Sequence, residues 1–169
     1  SVYGNVKGSV NENKKPNPQG YYAYTKFKGE ELIKKYSKKY NYKYAILRYF
    51  NVAGASPSNK IGQIEKSHGQ LIKNIAIQHL EKKPLMNIYG NDYKTKDGTC
   101  IRDYIHVSDL ADIHIQSIKY LTKNKKSILL NCGYGKGYSV KQIVDIFKKI
   151  KKNARVQYQK RRPGDIAQV

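Results

Sequence analysis

Short apolar runs alternate with longer segments of helical periodicity along this chain, and this alternation constrains the fold more than any other feature. Helices are predicted at 22–40, 69–81, 108–121 and 140–151, strands at 44–50, 86–89, 104–107 and 128–131, and loops at 1–20, 51–67 and 93–103. In the first helix, Phe27, Leu32 and Tyr36 recur on one side and lysines on the other. Strands that alternate with helices are typical of parallel sheets. We therefore expect an α/β fold.

Two of the predicted helices begin with residues suited to capping. Ser108 precedes the third helix, and Asp109 lies in its positive first turn. Ser139 and Gln142 have the spacing of a capping box, in which each side chain bonds the backbone N–H of the other residue. We expect these residues to fix where the two helices start.

The chain is strongly basic, with 33 Lys and Arg against 12 Asp and Glu and a formal net charge of +21 in 169 residues. Such a charge suits phosphate backbones. Only five of the basic residues are Arg, however, and the Lys are scattered through every predicted element. We therefore favour a solvated basic surface and keep a basic nucleic-acid-binding module as the alternative from a different class of protein.

The composition excludes several other classes of protein. The mean hydropathy is -0.74, and no window approaches the ~18 consecutive apolar residues of a membrane span. Cys100 and Cys132 cannot form a disulfide framework or a four-thiolate zinc site, so a reducing cytoplasm is the expected compartment. The four histidines lack metal-ligand spacing, and His106 in a predicted strand is expected to be structural. We expect no metal site and ordinary buried thiols.

Three glycines at 133, 135 and 137 lie between a predicted strand and a predicted helix. Their G-x-G-x-G spacing differs from the G-x-G-x-x-G of dinucleotide-binding loops, and no acidic residue follows about twenty positions on. The glycines therefore indicate a tight turn rather than a phosphate-binding loop.

The pattern Tyr-x-x-x-Lys occurs three times, at Tyr3/Lys7, Tyr22/Lys26 and Tyr24/Lys28. On a helix the two residues share a face, and the cation stabilises a phenolate that can act as a general base. Chance alone gives about three matches in a chain this rich in Tyr and Lys. Only Tyr22/Lys26 lies at the start of a predicted helix with a hydroxyl residue, Thr25, just before the Lys.

Three of the five arginines occur in two short polar segments, Arg102-Asp103 and residues 161–165. Guanidinium groups bind phosphate oxygens in a bidentate manner, so two such segments could clamp a diphosphate. Loop salt bridges with Asp103 and Asp165 explain the same residues equally well, and the chemistry of the residues leaves both interpretations open.

Seven strings, in order along the whole chain, resemble the UDP-glucose 4-epimerase family. They are 1–4 (SVYG), 22–26 (YAYTK), 47–55 (LRYFNVAGA), 89–93 (YGNDY), 97–111 (DGTCIRDYIHVSDLA), 131–140 (NCGYGKGYSV) and 161–165 (RRPGD). The string at 97–111 is highly specific. The resemblance implies an extended short-chain dehydrogenase/reductase, with an N-terminal Rossmann domain that binds NAD and a smaller α/β domain that binds the nucleotide sugar.

The resemblance also implies how the chain divides. Residues 1–55 would form the C-terminal part of the Rossmann-type doubly wound parallel sheet. Residues 56–169 would form mainly the substrate-binding domain, with a segment at about 104–122 returning to the Rossmann part.

By the same resemblance, Tyr22 would take the proton from the 4-hydroxyl of the sugar as hydride leaves carbon 4 for NAD. Lys26 would stabilise the phenolate and hydrogen-bond the nicotinamide ribose, and Tyr49 would contact the cofactor. The residues implied to contact the UDP-sugar are Asn51, Gln70, Leu71, Asn87, Ile88, Tyr89, Arg102, Arg162 and Asp165. Among these, the two arginines would hold the diphosphate and Asp165 the uridine ribose.

Some positions depart from the family pattern. The glycine-rich NAD loop and the catalytic Ser or Thr would lie upstream of Ser1, and the string 64–70 and Lys73 replace the usual proline-containing sequence. Val169 falls at a gatekeeper position that is bulky in strict hexose epimerases and small in those that also accept N-acetylated sugars. The chain is therefore expected to be an incomplete piece that is inactive alone.

The resemblance implies that the complete protein interconverts UDP-galactose and UDP-glucose through a 4-keto intermediate. The alternative substrate is a UDP-N-acetylhexosamine or another nucleotide sugar. The implied partner is the UDP-sugar alone, without nucleic acid or membrane, in a cytoplasmic homodimer.

Overall fold

The structure, a computed structural model, describes residues 2–64 and 69–168, and within them the chain forms four helices and seven strands. The helices are α1 Tyr21–Tyr40, α2 Leu71–Leu80, α3 Val107–Asn124 and α4 Val140–Ile150. The strands are β1 Ala45–Tyr49, β2 Asn51–Ala53, β3 Leu85–Tyr89, β4 Ile101–His106, β5 Ile128–Cys132, β6 Gly137–Ser139 and β7 Arg155–Gln159. The α/β fold expected from the sequence is confirmed, and the predicted helices and strands all form.

Parallel pairing joins strands that are far apart in the chain. β1 pairs with β5 in the register Ile46 to Leu129, β2 with β4 in the register Val52 to Ile105, and β3 with β7. β4 also pairs with β6, in the antiparallel sense. Parallel strands need long crossover connections, and α2, α3 and α4 lie within those connections.

Two apolar cores hold these helices and strands together. One contains Met86, Ile88, Val144, Phe147 and Ala154, which join β3 to α4, with α2 packed against them. The other contains Ile105, Leu110 and Cys132, with Leu47 and Val52 packed around them. Both cysteines are buried and free, as expected, and burial raises the pKa of the Cys132 thiol. Among the described residues, none of the helices is long and apolar enough to cross a membrane.

One of the two predicted helix caps is confirmed and the other is wrong. Ser139 Oγ accepts from the Gln142 N–H at 3.0 Å and Gln142 Oε1 accepts from the Ser139 N–H at 2.8 Å, which completes the capping box. The third helix begins one residue earlier than expected, with His106 as its N-cap. His106 Nδ1 accepts from the Ser108 N–H at 3.2 Å, because the imidazole at the end of β4 reaches the donor that a cap must satisfy. This histidine is structural, as expected.

The predicted loops at 51–67 and 93–103 are wrong where strands form within them. β2 occupies 51–53, and β4 starts at Ile101 rather than at Tyr104. β6 and β7 were likewise not predicted. β2 and β6 have only three residues each, so pairing with β4 decides their conformation, whereas the alternation of polar and apolar residues in β7 is itself a strand pattern.

The tight strand-to-helix turn predicted for the three glycines is only partly right: Gly133 and Gly135 lie in a bend after β5, whereas Gly137 begins strand β6, which precedes the helix. Asp103 is buried, and its carboxylate accepts from the N–H of Tyr134 at 3.2 Å and of Gly135 at 2.8 Å. A Cβ atom at Gly133 would lie 2.7 Å from Asp103 Oδ2 and 2.8 Å from Phe50 Cδ2. The turn therefore needs glycine because a buried carboxylate approaches its backbone.

Gly133→Ala should lower the free energy of unfolding of the full-length protein by about 1–3 kcal/mol, since the added methyl group would overlap both the Asp103 carboxylate and the Phe50 ring and would force them to shift. Urea denaturation measures this difference. Gly29→Ala is the matched control, because Gly29 is helical and its Cβ would have no neighbour within 4 Å. A Gly133→Ala protein as stable as Gly29→Ala would show that Asp103 and Phe50 accommodate the added methyl group at little cost in stability.

A buried ion pair ties α1 to β1. Arg48 donates to Glu30 through two nitrogens, at 2.8 and 2.6 Å, and the two side chains are only 7% and 8% exposed. A third nitrogen of Arg48 donates to the Tyr3 hydroxyl at 2.6 Å, and that hydroxyl donates to Asn131 Oδ1 at 2.7 Å. The network thus connects the N-terminal segment, α1, β1 and β5, and the sequence analysis did not identify it.

Candidate active site

A cavity of about 860 Å³ opens where the carboxyl ends of β1 and β3 and the beginning of β2 meet the start of α1. The start of α2, strand β4 and the segment 162–166 complete its wall. Ligands of open α/β sheets bind at the carboxyl ends of the strands, and this volume is in the range of small-molecule sites. The topology therefore marks this cavity as the candidate site.

Ten of the twelve site residues expected from the sequence line this cavity. They are Tyr22, Tyr49, Asn51, Gln70, Leu71, Asn87, Tyr89, Arg102, Arg162 and Asp165. They come from segments up to 143 residues apart in the chain, from Tyr22 to Asp165. The fold thus brings together residues that the sequence shows only as separate motifs.

Tyr22 is the second residue of α1 and is 68% exposed. Lys26 follows one turn later, and its Nζ lies 5.2 Å from the centroid of the Tyr22 ring. Thr25, between them, donates its hydroxyl to the Tyr22 carbonyl at 2.9 Å. The helix therefore holds the ammonium against the phenol at the cavity wall, although Lys26 itself does not line the cavity.

The other two Tyr-x-x-x-Lys matches have different surroundings. Tyr3 is buried, and its hydroxyl is bonded to Arg48 and Asn131. Lys28 lies 5.5 Å from the Tyr24 ring centroid but is paired with Glu31 at 2.7 Å, and Tyr24 does not line the cavity. Tyr22/Lys26 is thus the match whose phenol faces the cavity.

Arg102 and Arg162 converge on Asp165. Arg162 Nε donates to Asp165 Oδ2 at 2.9 Å, and Arg102 Nη2 lies 3.8 Å from Asp165 Oδ1. The Arg162 guanidinium also stacks 5.1 Å from the centroid of the Tyr89 ring. Two cations around one carboxylate leave a net positive charge at the wall, which suits an anionic ligand.

The alternative interpretation of these arginines, loop salt bridges with Asp103 and Asp165, holds for only one of the two acids. Asp165 pairs with both arginines, whereas Asp103 accepts from the 133–135 turn instead. Since Asp103 is used elsewhere, Arg102 turns toward the cavity.

Ile88 is a site residue whose side chain the structure places elsewhere. It is 1% exposed and belongs to the core between β3 and α4. Alternation along β3 sends the side chains of Asn87 and Tyr89 to the opposite face, where they line the cavity. The prediction that Ile88 borders the ligand can therefore hold only for its backbone, since its side chain lies in the core.

The cavity is also lined by residues that were not predicted from the sequence. They include Phe50, Ile72, Asn74, Cys100, Tyr104, Val140 and Ile166. Tyr104 is two residues after Arg102 on β4, so strand alternation places both on one face and could have identified it. Burial raises the pKa of Tyr104, so its hydroxyl is a neutral donor at the wall.

Some of the expected departures from the family pattern lie outside the described residues. These are residues 65–68 within the string 64–70, and the gatekeeper position Val169. Among the residues that the structure does describe, no group of three or more His, Cys, Asp or Glu could hold a metal ion.

Comparison with known proteins places the chain in a family. Residues 1–133 match the NAD dependent epimerase/dehydratase family. The chain belongs to this family, and its Tyr-x-x-x-Lys helix and the parallel pairs of β1 with β5 and of β2 with β4 lie within the matched part.

Among curated proteins, the chain is 39% identical over 171 residues to the UDP-glucose 4-epimerase of Azospirillum brasilense, covering 100% of this chain and 49% of that protein. The solved UDP-glucose 4-epimerase of Stenotrophomonas maltophila, with bound NAD and formylated UDP-arabinopyranose, superposes with a TM-score of 0.85 at 34% identity over 99% of this chain and 51% of that one. The enzyme of Bifidobacterium longum, in complex with NAD+ and UDP, gives a TM-score of 0.84 at 32% identity, with coverage of 99% and 51%. The chain thus spans about half the length of the proteins it resembles.

Proposed function

We propose that the full-length protein containing this chain is a UDP-glucose 4-epimerase, which interconverts UDP-galactose and UDP-glucose. The observation that carries the proposal is one cavity with a phenol–ammonium pair at one wall and two arginines around an aspartate at another. The first pair suits proton transfer at a sugar hydroxyl, and the second suits a diphosphate.

In this reaction the Tyr22 hydroxyl holds and moves the proton. Tyr22 as phenolate would take the proton from the 4-hydroxyl of the sugar while carbon 4 loses a hydride, and the two losses together give a 4-keto sugar. After the sugar has rotated in the site, carbon 4 would regain the hydride and Tyr22 would return the proton to the oxygen. Lys26 stabilises the phenolate through its positive charge 5.2 Å from the ring. When bound, NAD supplies the hydride acceptor and donor for carbon 4.

The residues near Tyr22 fit a role in holding NAD. Lys26 has an ammonium with three donors for ribose hydroxyls, and Tyr49, at the end of β1, is 53% exposed and lines the cavity. Tyr22, Lys26 and Tyr49 are therefore the residues of this chain that we assign to the cofactor.

The remaining wall fits a UDP-sugar. We assign Arg102 and Arg162 to the diphosphate, Asp165 to the ribose, and Asn87 and Tyr89 to the uracil, with Ile88 contributing only backbone at that position. Asn51, Gln70 and Leu71 also line the cavity, and we assign them to the sugar. The net positive charge of the protein would draw this anionic substrate toward the cavity.

We propose two functional regions within the chain. Residues 1–55, with α1 and β1, would belong to the cofactor-binding part, and residues 56–169 mainly to the substrate-binding part. The segment that returns to the first part would run from β4 through β5 rather than over 104–122 alone. The supporting contacts are those of α3 with β1 and β2, and the pairing of β5 with β1.

We further propose that the protein is a cytoplasmic homodimer that needs neither nucleic acid nor a membrane. Support for the dimer comes from α1, where Leu32, Ile33, Tyr36 and Tyr40 are each at least 40% exposed on a long helix. Light scattering of the full-length protein tests the dimer, and a mass of one protomer would contradict it.

A second candidate substrate is a different nucleotide sugar. One structural relative holds formylated UDP-arabinopyranose, so the sugar pocket of that relative accepts a substituted ring. Turnover of UDP-N-acetylglucosamine beside UDP-glucose by the full-length protein distinguishes the two candidates. A kcat/KM for the N-acetylated sugar that equals or exceeds the kcat/KM for UDP-glucose would favour the second.

Replacing Arg102 or Arg162 with Ala should weaken UDP binding about 10- to 100-fold, since each removes charge-assisted bonds to the diphosphate. Calorimetric titration of the full-length variants with UDP measures the change. Arg155→Ala is the matched control, because Arg155 is an exposed arginine on β7 outside the cavity. Equal UDP affinity in all three variants would contradict the assignment of the diphosphate.

A further inference from the structure

Arg161 is next to Arg162 in the chain but bonds a different part of the molecule. Its Nε donates to Asp92 Oδ1 at 2.6 Å, and a second guanidinium nitrogen donates to the Asp92 backbone carbonyl. The guanidinium also lies 4.2 Å from the centroid of the Tyr93 ring. We call this arrangement of Arg161 on Asp92 and Tyr93 the Arg161 anchor.

The turn before the anchor is shaped to receive it. Gly90 has φ +82, and its N–H donates to the Gln159 carbonyl at 2.9 Å. A Cβ atom at Gly90 would lie 2.5 Å from the Tyr93 ring and 2.8 Å from Arg161 Cγ. Only a glycine therefore allows the Arg161 stem and the Tyr93 ring to pack across the turn.

The partners of Arg161 are held in fixed ionisation states. The hydrogen bond from Arg161 lowers the pKa of Asp92, so the carboxylate stays charged. Burial, with a smaller contribution from the Cys100 thiol, raises the pKa of Tyr93 to about 12, so its ring stays neutral under the guanidinium. A neutral aromatic face attracts a cation.

The anchor is continuous with the nucleotide wall. Arg162 stacks on Tyr89, the residue just before Gly90, and donates to Asp165, which also lies near Arg102. The Asp165 N–H donates to the Arg162 carbonyl at 3.2 Å, which closes a turn right after the anchor. The backbone position of Arg161 thus determines where the side chains of Arg162 and Asp165 leave the backbone.

We infer that Arg161 is a positioning residue for nucleotide binding: by fixing residues 161–165 to the turn at 90–93, it directs Arg162 and Asp165 into the cavity. This inference rests on the proposed function, because it takes the cavity to be the site of a nucleotide diphosphate. Arg161 does not line the cavity, so it acts through Arg162 and Asp165 and not by contact.

The test compares Arg161→Ala and Arg161→Lys with the wild-type full-length protein. Arg161→Ala should raise KM for UDP-galactose and Kd for UDP roughly tenfold, with kcat changed less than about twofold, because misplacement of binding groups weakens binding without touching the proton transfer at Tyr22. Arg161→Lys should recover little, since an ammonium cannot donate to Asp92 in two directions and stack on Tyr93 at once. Lys160→Ala, the adjacent exposed cation, is the control and should match wild type.

A double-mutant cycle distinguishes positioning from a general loss of stability. In the Arg162→Ala background, removal of Arg161 should change the Kd for UDP less than in wild type, since one of the two groups that it positions is already absent and only Asp165 remains to be displaced. Full additivity of the two substitutions would overturn the inference, as would an Arg161→Ala variant with wild-type KM and Kd.

Hydrogen exchange supplies a measurement that does not depend on any nucleotide. The Asp165 amide, which closes the turn on Arg162, and the Gly90 amide, which bonds the Gln159 carbonyl at the end of β7, should exchange about tenfold faster in Arg161→Ala, while core amides of α4 stay unchanged. Unchanged exchange at both amides would overturn the anchor itself. If the two amides exchange faster in Arg161→Ala but the wild-type protein does not bind UDP, the Arg161 anchor is upheld and the proposed function is rejected.

Discussion

Replacing Tyr22 with Phe in the full-length protein should lower kcat for UDP-galactose about 10²- to 10⁴-fold, the range that a positioned general base supplies. Phenylalanine keeps the ring that lies against Lys26 but removes the hydroxyl that carries the proton. Coupled assays of UDP-glucose formation measure kcat, and titration with UDP should give a Kd close to that of wild type. Loss confined to kcat identifies a group that acts in the reaction and not in nucleotide binding.

Tyr24→Phe is the matched control for this experiment. Tyr24 lies on the same turn of α1, and Lys28 is 5.5 Å from its ring, but Tyr24 does not line the cavity. It should retain wild-type kcat. Full activity in Tyr22→Phe, or an equal loss in Tyr24→Phe, would contradict the assignment of Tyr22 as the base.

Replacing Arg48 with Met should lower the free energy of unfolding of the full-length protein by about 3–5 kcal/mol, because the buried Glu30 carboxylate then loses its partner. Both side chains are less than 10% exposed, and the Tyr3 hydroxyl loses its donor as well. Urea denaturation followed by circular dichroism measures the change.

Lys28→Met is the control for the buried pair. Lys28 and Glu31 form an ion pair of similar length, 2.7 Å, on the same helix, but their side chains are 48% and 46% exposed. Solvent screens such a pair, so its removal should change stability little. An Arg48→Met protein as stable as Lys28→Met would show that the network of Glu30, Arg48, Tyr3 and Asn131 does not hold α1 in place.

The helices were predictable from sequence because their periodicity is local, whereas several strands were not. The apolar face of α4 and its capping box lie within a dozen residues, and both agree with the structure. β7 reads Arg155-Val-Gln-Tyr-Gln, which alternates polar and apolar residues, so its period of two could have predicted this strand. β2 and β6 have only three residues each, too few to show a period, and they become strands because β4 pairs with both of them.

Most of the candidate site was predictable, but through family resemblance more than through pattern. Spacing alone did not distinguish Tyr22/Lys26 from two other matches, and it left the role of the arginines open. The structure separates them by surroundings: a cavity at Tyr22, an ion pair at Lys28, and a buried network at Tyr3. For Ile88 the family resemblance was not sufficient. It indicated a position near the ligand but not the face of β3 on which the side chain lies, and that face belongs to the core.

Proton NMR of UDP-galactose incubated with the full-length protein and NAD distinguishes an epimerase from a protein that only binds UDP. We expect the anomeric signal of UDP-galactose to be replaced by the signals of an equilibrium mixture with UDP-glucose, and a Tyr22→Phe protein prepared in the same way to leave the substrate essentially unchanged. Folded wild-type protein that binds UDP but forms no UDP-glucose would contradict the proposed function.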